Sequence, residues 1–141
     1  MTDQSGALHA PEPDRRQTPW TRRLVLFLRI MAAVSLVKGI YHWSQVLGIG
    51  DSTGSTFEQA SMPWQAATVF FAVIDLVAAV GLWLAAAWGG VVWLTASISM
   101  AAIELFFPQV FGGRLWIAIP EFLAIMLYIA LALMAGRERP E

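Results

Sequence analysis

Residues 24–47 read LVLFLRIMAAVSLVKGIYHWSQVL, an apolar run broken only by Arg29, Lys38 and a few small or polar residues. A helix rises about 1.5 Å per residue, so about 20 mostly apolar residues cross a hydrocarbon core about 30 Å thick. This stretch is long enough to span a bilayer. Three more qualify: residues 64–87, 91–107 and 115–135. Local punctuation separates them. Ser61-Met62-Pro63 reads as a helix start, with a capping hydroxyl and a proline in the first turn. Trp88-Gly89-Gly90 reads as a link short enough to force an antiparallel hairpin between spans two and three. Pro108 and Gly112-Gly113 break the third span from the fourth, and Gly136 closes the last. The expected fold is an all-α membrane protein, a four-transmembrane-helix antiparallel bundle over residues 20–136.

Composition points the same way. Of 141 residues, 57% are hydrophobic and 13% are charged, and the mean hydropathy is +0.61. The charged share is about half of the roughly 25% usual in soluble domains. A soluble domain of about 150 residues still exposes roughly 30% of its unfolded-chain surface, which leaves no place in water for this much apolar area. The absence of Cys excludes disulfides, thiol redox chemistry and Cys-ligated zinc or iron–sulfur clusters. A net charge of −1 carries no nucleic-acid footprint.

Charges outside the spans set the expected orientation. Arg15, Arg16, Arg22 and Arg23 precede the first span, and Arg137 and Arg139 follow the last. The connection over residues 44–63 has no Lys or Arg but contains Asp51 and Glu58, and the third connection has Arg114 alone. The positive-inside rule then places both termini in the cytoplasm. Trp20, Trp43, Trp64, Trp88 and Trp116 fall near span ends, as an aromatic belt requires. Residues 1–19, with Pro11, Pro13 and Pro19, read as a disordered cytoplasmic tail, and residues 137–141 as a short one. The first apolar run is too long for a cleaved signal peptide, and no small-residue cleavage site follows it.

Helices in lipid associate through close packing of small residues. Ser35-xxx-Gly39 lies on the first span, Gly81-xxx-Ala85-xxx-Gly89 on the second and Ser97-xxx-Ala101 on the third. Such stripes serve packing within one chain or homo-oligomerisation, and both stay open.

Ionisable residues inside spans are costly and point to function. Five occur: Arg29, Lys38, Asp75, Glu104 and Glu121. The helical rise puts Lys38, Glu104 and Glu121 at one level, each roughly 9 Å below the outer edge, and Asp75 roughly 15 Å in. His42 lies one turn above Lys38 on the same face, with Tyr41 beside it. The expected polar cluster is therefore Lys38, Tyr41, His42, Asp75, Glu104 and Glu121, in the outer half of the bundle. Three carboxylates and one ammonium cannot all be ionised together in low dielectric, so at least one carboxyl is expected to carry a proton or to face water. Arg29 is nine residues from Lys38, hence on the opposite face, in the cytoplasmic half. It either snorkels to the headgroups or pairs with Asp75. Pro120 either kinks the fourth helix or sits in the first turn of a helix that starts late.

His9 and His42 are the only histidines, so one chain cannot supply a bis-His haem, and no metal site is expected. No Ser/His/Asp set, phosphate loop or HExxH pattern occurs, so no catalytic residue is assigned.

Leu28-Arg29-Ile30 followed by Leu36-Val37-Lys38-Gly39 resembles the first helix of the DoxX-like family of small four-helix membrane proteins. Ile74-Asp75-Leu76 followed by Val80-Gly81-Leu82-Trp83-Leu84 resembles that family's second helix, with Asp75 where Glu is expected. Lys38-Gly39-Ile40-Tyr41-His42-Trp43 and Pro63-Trp64-Gln65 resemble an uncharacterised family of small four-helix bacterial inner-membrane proteins. That resemblance implies the bacterial inner membrane as location and no particular activity. The DoxX-like one implies a membrane subunit of a quinone-linked oxidoreductase. The expected function is a non-enzymatic accessory or interaction subunit without a cofactor, in contact with the lipid bilayer and with a larger membrane complex or a second copy. The alternatives are a quinone-binding subunit, and an oligomeric proton-coupled transporter using Asp75.

Overall fold

The computed structural model describes residues 18–50 and 56–138. The tails expected over residues 1–17 and 139–141 lie outside them. Six helices follow in order: α1 (Pro19–Val46), α2 (Thr56–Gln59), α3 (Met62–Trp83), α4 (Ala87–Phe106), α5 (Pro108–Phe111) and α6 (Leu115–Arg137). Four of them, α1, α3, α4 and α6, are long and apolar enough to cross a membrane. The described residues contain no strand. The one-turn helices α2 and α5 lie in the connections expected as loops.

α1 starts earlier than the apolar run. Pro19 occupies the first turn, where its missing N–H is no loss. Arg22 and Arg23 are therefore helical and extend α1 beyond its apolar part. α6 starts at Leu115 and carries Pro120 inside it. Of the two readings of Pro120, the structure has the one inside the helix, where it lacks the N–H that the Trp116 carbonyl would otherwise receive.

The hairpin between α3 and α4 is also corrected. α3 ends at Trp83, and the turn is Leu84-Ala85-Ala86, not Trp88-Gly89-Gly90. Ala85, at φ 51°, is the one non-glycine residue with positive φ among those described. The Ala86 N–H donates to the Gly81 carbonyl at 3.0 Å and closes the turn. Gly89 and Gly90 belong to α4, so the Gly81-xxx-Ala85-xxx-Gly89 stripe is not one helix face. Gly81 on α3 and Gly89 on α4 instead meet backbone to backbone, so that a Cβ on Gly89 would fall on the Gly81 carbonyl group. Paired glycines read as a break by the habits of loops in water. Between helices they serve as the point of closest approach.

α1 packs on α3, α3 on α4, and α6 closes the ring against α1 and α4. Contacts run in opposite directions along the neighbours. Leu28 and Ala32 share a core with Ala78, Leu82 and Trp93, while Gly39 approaches Leu76 and His42 stacks on Phe71. Hence α1 and α3 are antiparallel. The Trp20 N–H donates to Glu138 Oε2 at 3.2 Å, which brings the two described ends of the chain to the same end of the bundle. That end is apolar inside. Trp93 is fully buried there and meets Phe27 and Tyr128 edge-on, with ring centroids 6.1 and 5.6 Å away. The opposite half is polar.

Candidate functional site

The polar half starts from the buried face of α1, formed by Leu28, Ala32, Ser35, Gly39 and His42 at helical spacing. Gly39 lets α3 come close: a Cβ there would stand 2.7 Å from Leu76 Cδ2. The residues next to this contact, Lys38 and Asp75, are consequently neighbours, with Lys38 Nζ 3.9 Å from Asp75 Oδ1. Lys38 Nζ also donates to Glu121 Oε1 on α6. One ammonium thus ties three helices together.

The two carboxyls differ in setting. Asp75 has 1% of its side chain exposed, and neither of its oxygens accepts a hydrogen bond from the described residues. It faces the Lys38 ammonium at 3.9 Å, with no hydrogen bond between them. Glu121 uses Oε1 on Lys38, while its buried Oε2 accepts no hydrogen bond from the described residues.

Glu104 on α4 is buried and has a different partner. Its Oε2 accepts the backbone N–H of Arg114 at 2.8 Å, which ties the start of α6 to α4. His42 is buried between Phe71 and Phe111, with ring centroids 5.6 and 6.3 Å away. Tyr41 is exposed and meets His42 edge-on at 5.7 Å. The expected cluster therefore divides. Lys38, Asp75 and Glu121 form the charged core, Glu104 and His42 hold the surrounding elements, and Tyr41 lies at the rim. Arg29 does not meet Asp75. Its guanidinium lies over the Trp83 ring at 5.7 Å, on an exposed flank of α1.

Beside the charged core is a cavity of about 510 Å³, within the range of ligand pockets. Lys38, Glu104 and Glu121 stand in its wall with Arg114, and Trp64, Met100, Phe111 and Trp116 supply apolar surface. Asp75 does not line it; it sits behind Lys38. Pro120 also lines the cavity.

Sequence reasoning missed three of these residues. Arg114 reads as an isolated loop charge, Trp64 and Trp116 as belt residues. α5 is a single turn, too short for any periodic signal, yet it carries Phe111 onto His42 and Phe71.

In comparisons with curated proteins and with solved structures, nothing matches. A family model described as "Family of unknown function (DUF6163)" matches residues 22–139.

Proposed function

The chain belongs to the DUF6163 family of unknown function, and from its own side chains we propose a non-enzymatic accessory subunit that holds a lipid-soluble molecule by a polar head group. The observation that carries this reading is one cavity of about 510 Å³ with the Lys38–Glu121 pair in its wall. Apolar pockets with a few converging polar groups are the usual form of small-molecule sites. Lys38 and Arg114 offer donors, and the carboxyl groups of Glu104 and Glu121 in the same wall offer acceptors. A head group with both a carbonyl and a hydroxyl suits this wall. Quinones and quinols are such molecules, and the DoxX-like resemblance points to the same class. The reading stops at binding because the acid and base in the wall are spent on each other.

The test is purification in mild detergent with small-molecule mass spectrometry. The wild-type chain is expected to carry a stoichiometric amphipathic molecule. Ile117→Trp, which fills the cavity from a half-buried position away from the ion pair, should lower its occupancy about tenfold with little change in helix content. A wild-type preparation with no bound molecule, and with no thermal protection by added quinone, would sink the proposal.

The same reading places the chain in the bacterial inner membrane with both termini cytoplasmic. Arg22, Arg23 and Arg137 lie at one end of the bundle, and Arg114 lies in the connection at the other. The chain has no Cys, so single cysteines report without background. In intact spheroplasts, a membrane-impermeant maleimide should label Ile49→Cys and reach Ser5→Cys only after lysis. The reverse pattern would invert the topology.

A further inference from the structure

Three arginines on the outer flank of α1 have no ion-pair partner among the described residues. Arg22 and Arg29 are seven residues apart, which places them on one side of the helix with exposed Leu26 between them. Arg23 and Val25 complete a groove of about 700 Å³ on this flank, remote from the Lys38 cavity. All three guanidinium groups are exposed. Among the described residues, no carboxylate forms an ion pair with any of them. Their contacts are aromatic: Arg23 lies over Trp20 at 4.5 Å and Arg29 over Trp83 at 5.7 Å. Such contacts orient a guanidinium and leave its charge unbalanced.

Depth makes that imbalance matter. The apolar run of α1 starts at Leu24, so Arg29 is five residues inside it, or roughly 7.5 Å along the axis. A cation at that depth is costly unless it is paired or reaches the interface. The planar fork of arginine matches a phosphate with two parallel hydrogen bonds. Further along the same helix, α1 leaves Ile30, Val37 and Ile40 more than half exposed, at 55%, 66% and 56%. The flank therefore combines cations at the level of a headgroup with an apolar track running inward from them.

We infer that this groove binds an anionic phospholipid, its phosphodiester between Arg22 and Arg29 and an acyl chain along Ile30 and Val37. The chemistry needs a phosphate with a net negative headgroup and an attached chain. Free phosphate would leave the apolar track unused. A zwitterionic lipid brings its own cation and gains little from three arginines. This inference is independent of the cavity's ligand.

The experiment is native mass spectrometry of the full chain from mixed micelles with equal phosphatidylglycerol and phosphatidylcholine. Each arginine near an anionic surface contributes about 1 kcal/mol, so the two that flank the phosphate should favour phosphatidylglycerol about thirtyfold. Arg22→Gln with Arg29→Gln should reduce that preference to within about twofold. Arg137→Gln, at the same end but outside the groove, should keep it. Arg29→Lys, which keeps the charge and the fold, should give an intermediate preference through loss of the fork. A large excess of inorganic phosphate should displace nothing. Equal retention of both lipids by the wild-type chain would overturn the inference. So would displacement by inorganic phosphate, loss of preference in Arg137→Gln, or arginine-dependent capture of an acidic protein without lipid preference.

Discussion

Lys38→Met should destabilise the bundle by about 3 kcal/mol, read from the unfolding midpoint in detergent. The mechanism is an orphaned charge. Lys38 is the ion-pair partner of both Asp75 and Glu121, and Asp75 accepts no hydrogen bond from the described residues to replace it. Removing one member of a buried pair typically costs 3–5 kcal/mol because the other is left unbalanced. The lower end applies here, since a quarter of the Lys38 side chain is exposed. The same mechanism fixes the companion result. Adding Asp75→Leu to Lys38→Met removes one of the two orphaned carboxyls and should recover part of the loss, because apolar replacements of buried pairs are often neutral, while Glu121 stays without its partner. If Lys38→Met melts with the wild-type chain, or the added Asp75→Leu recovers nothing, then the ion pair does not hold the three helices together.

Gly89→Ala should be comparably damaging, about 3 kcal/mol, although it adds a single methyl group. That methyl would meet the Gly81 oxygen and the Leu82 nitrogen at 2.5 Å, and both are backbone atoms that no rotamer change can move aside. Relief requires opening the α3–α4 hairpin, so the cost sits at the upper end of overpacking. Gly136→Ala is the matched control. Its Cβ would meet nothing within 4 Å, and the better helix propensity of alanine makes the change neutral or slightly stabilising. Equal unfolding midpoints for the two variants would show that α3 and α4 do not approach as closely as these glycines imply.

The first prediction depends on neighbours distant in sequence. Lys38 and Glu121 are 83 positions apart. Helical rise alone brought Lys38, Glu104 and Glu121 to one level, but level is a single coordinate. Rotation about each helix axis decides which of them touch, and rotation depends on packing. Glu104 turned to the Arg114 backbone, and Arg29 lay over Trp83. Asp75, expected in the cluster, shows how side-chain length adds to level. Its expected depth was below that of Lys38, and the long lysine side chain closed the gap to 3.9 Å. The apolar wall of the cavity was not legible, because α5 and the tryptophans that form it carry no periodic signal.

The sequence by itself determined four apolar helices and the few ionisable residues within them. Span length and hydropathy are properties of consecutive residues, and the bilayer thickness converts them directly into elements. Only the tertiary structure decided the partners: Lys38 with Asp75 and Glu121, Gly81 with Gly89, and three arginines with no ion pair among the described residues. Lipid surrounds all helix faces alike, so the apolar pattern does not mark which face turns inward. Close backbone approach and charge pairing make that choice, and both exist only once the helices are packed.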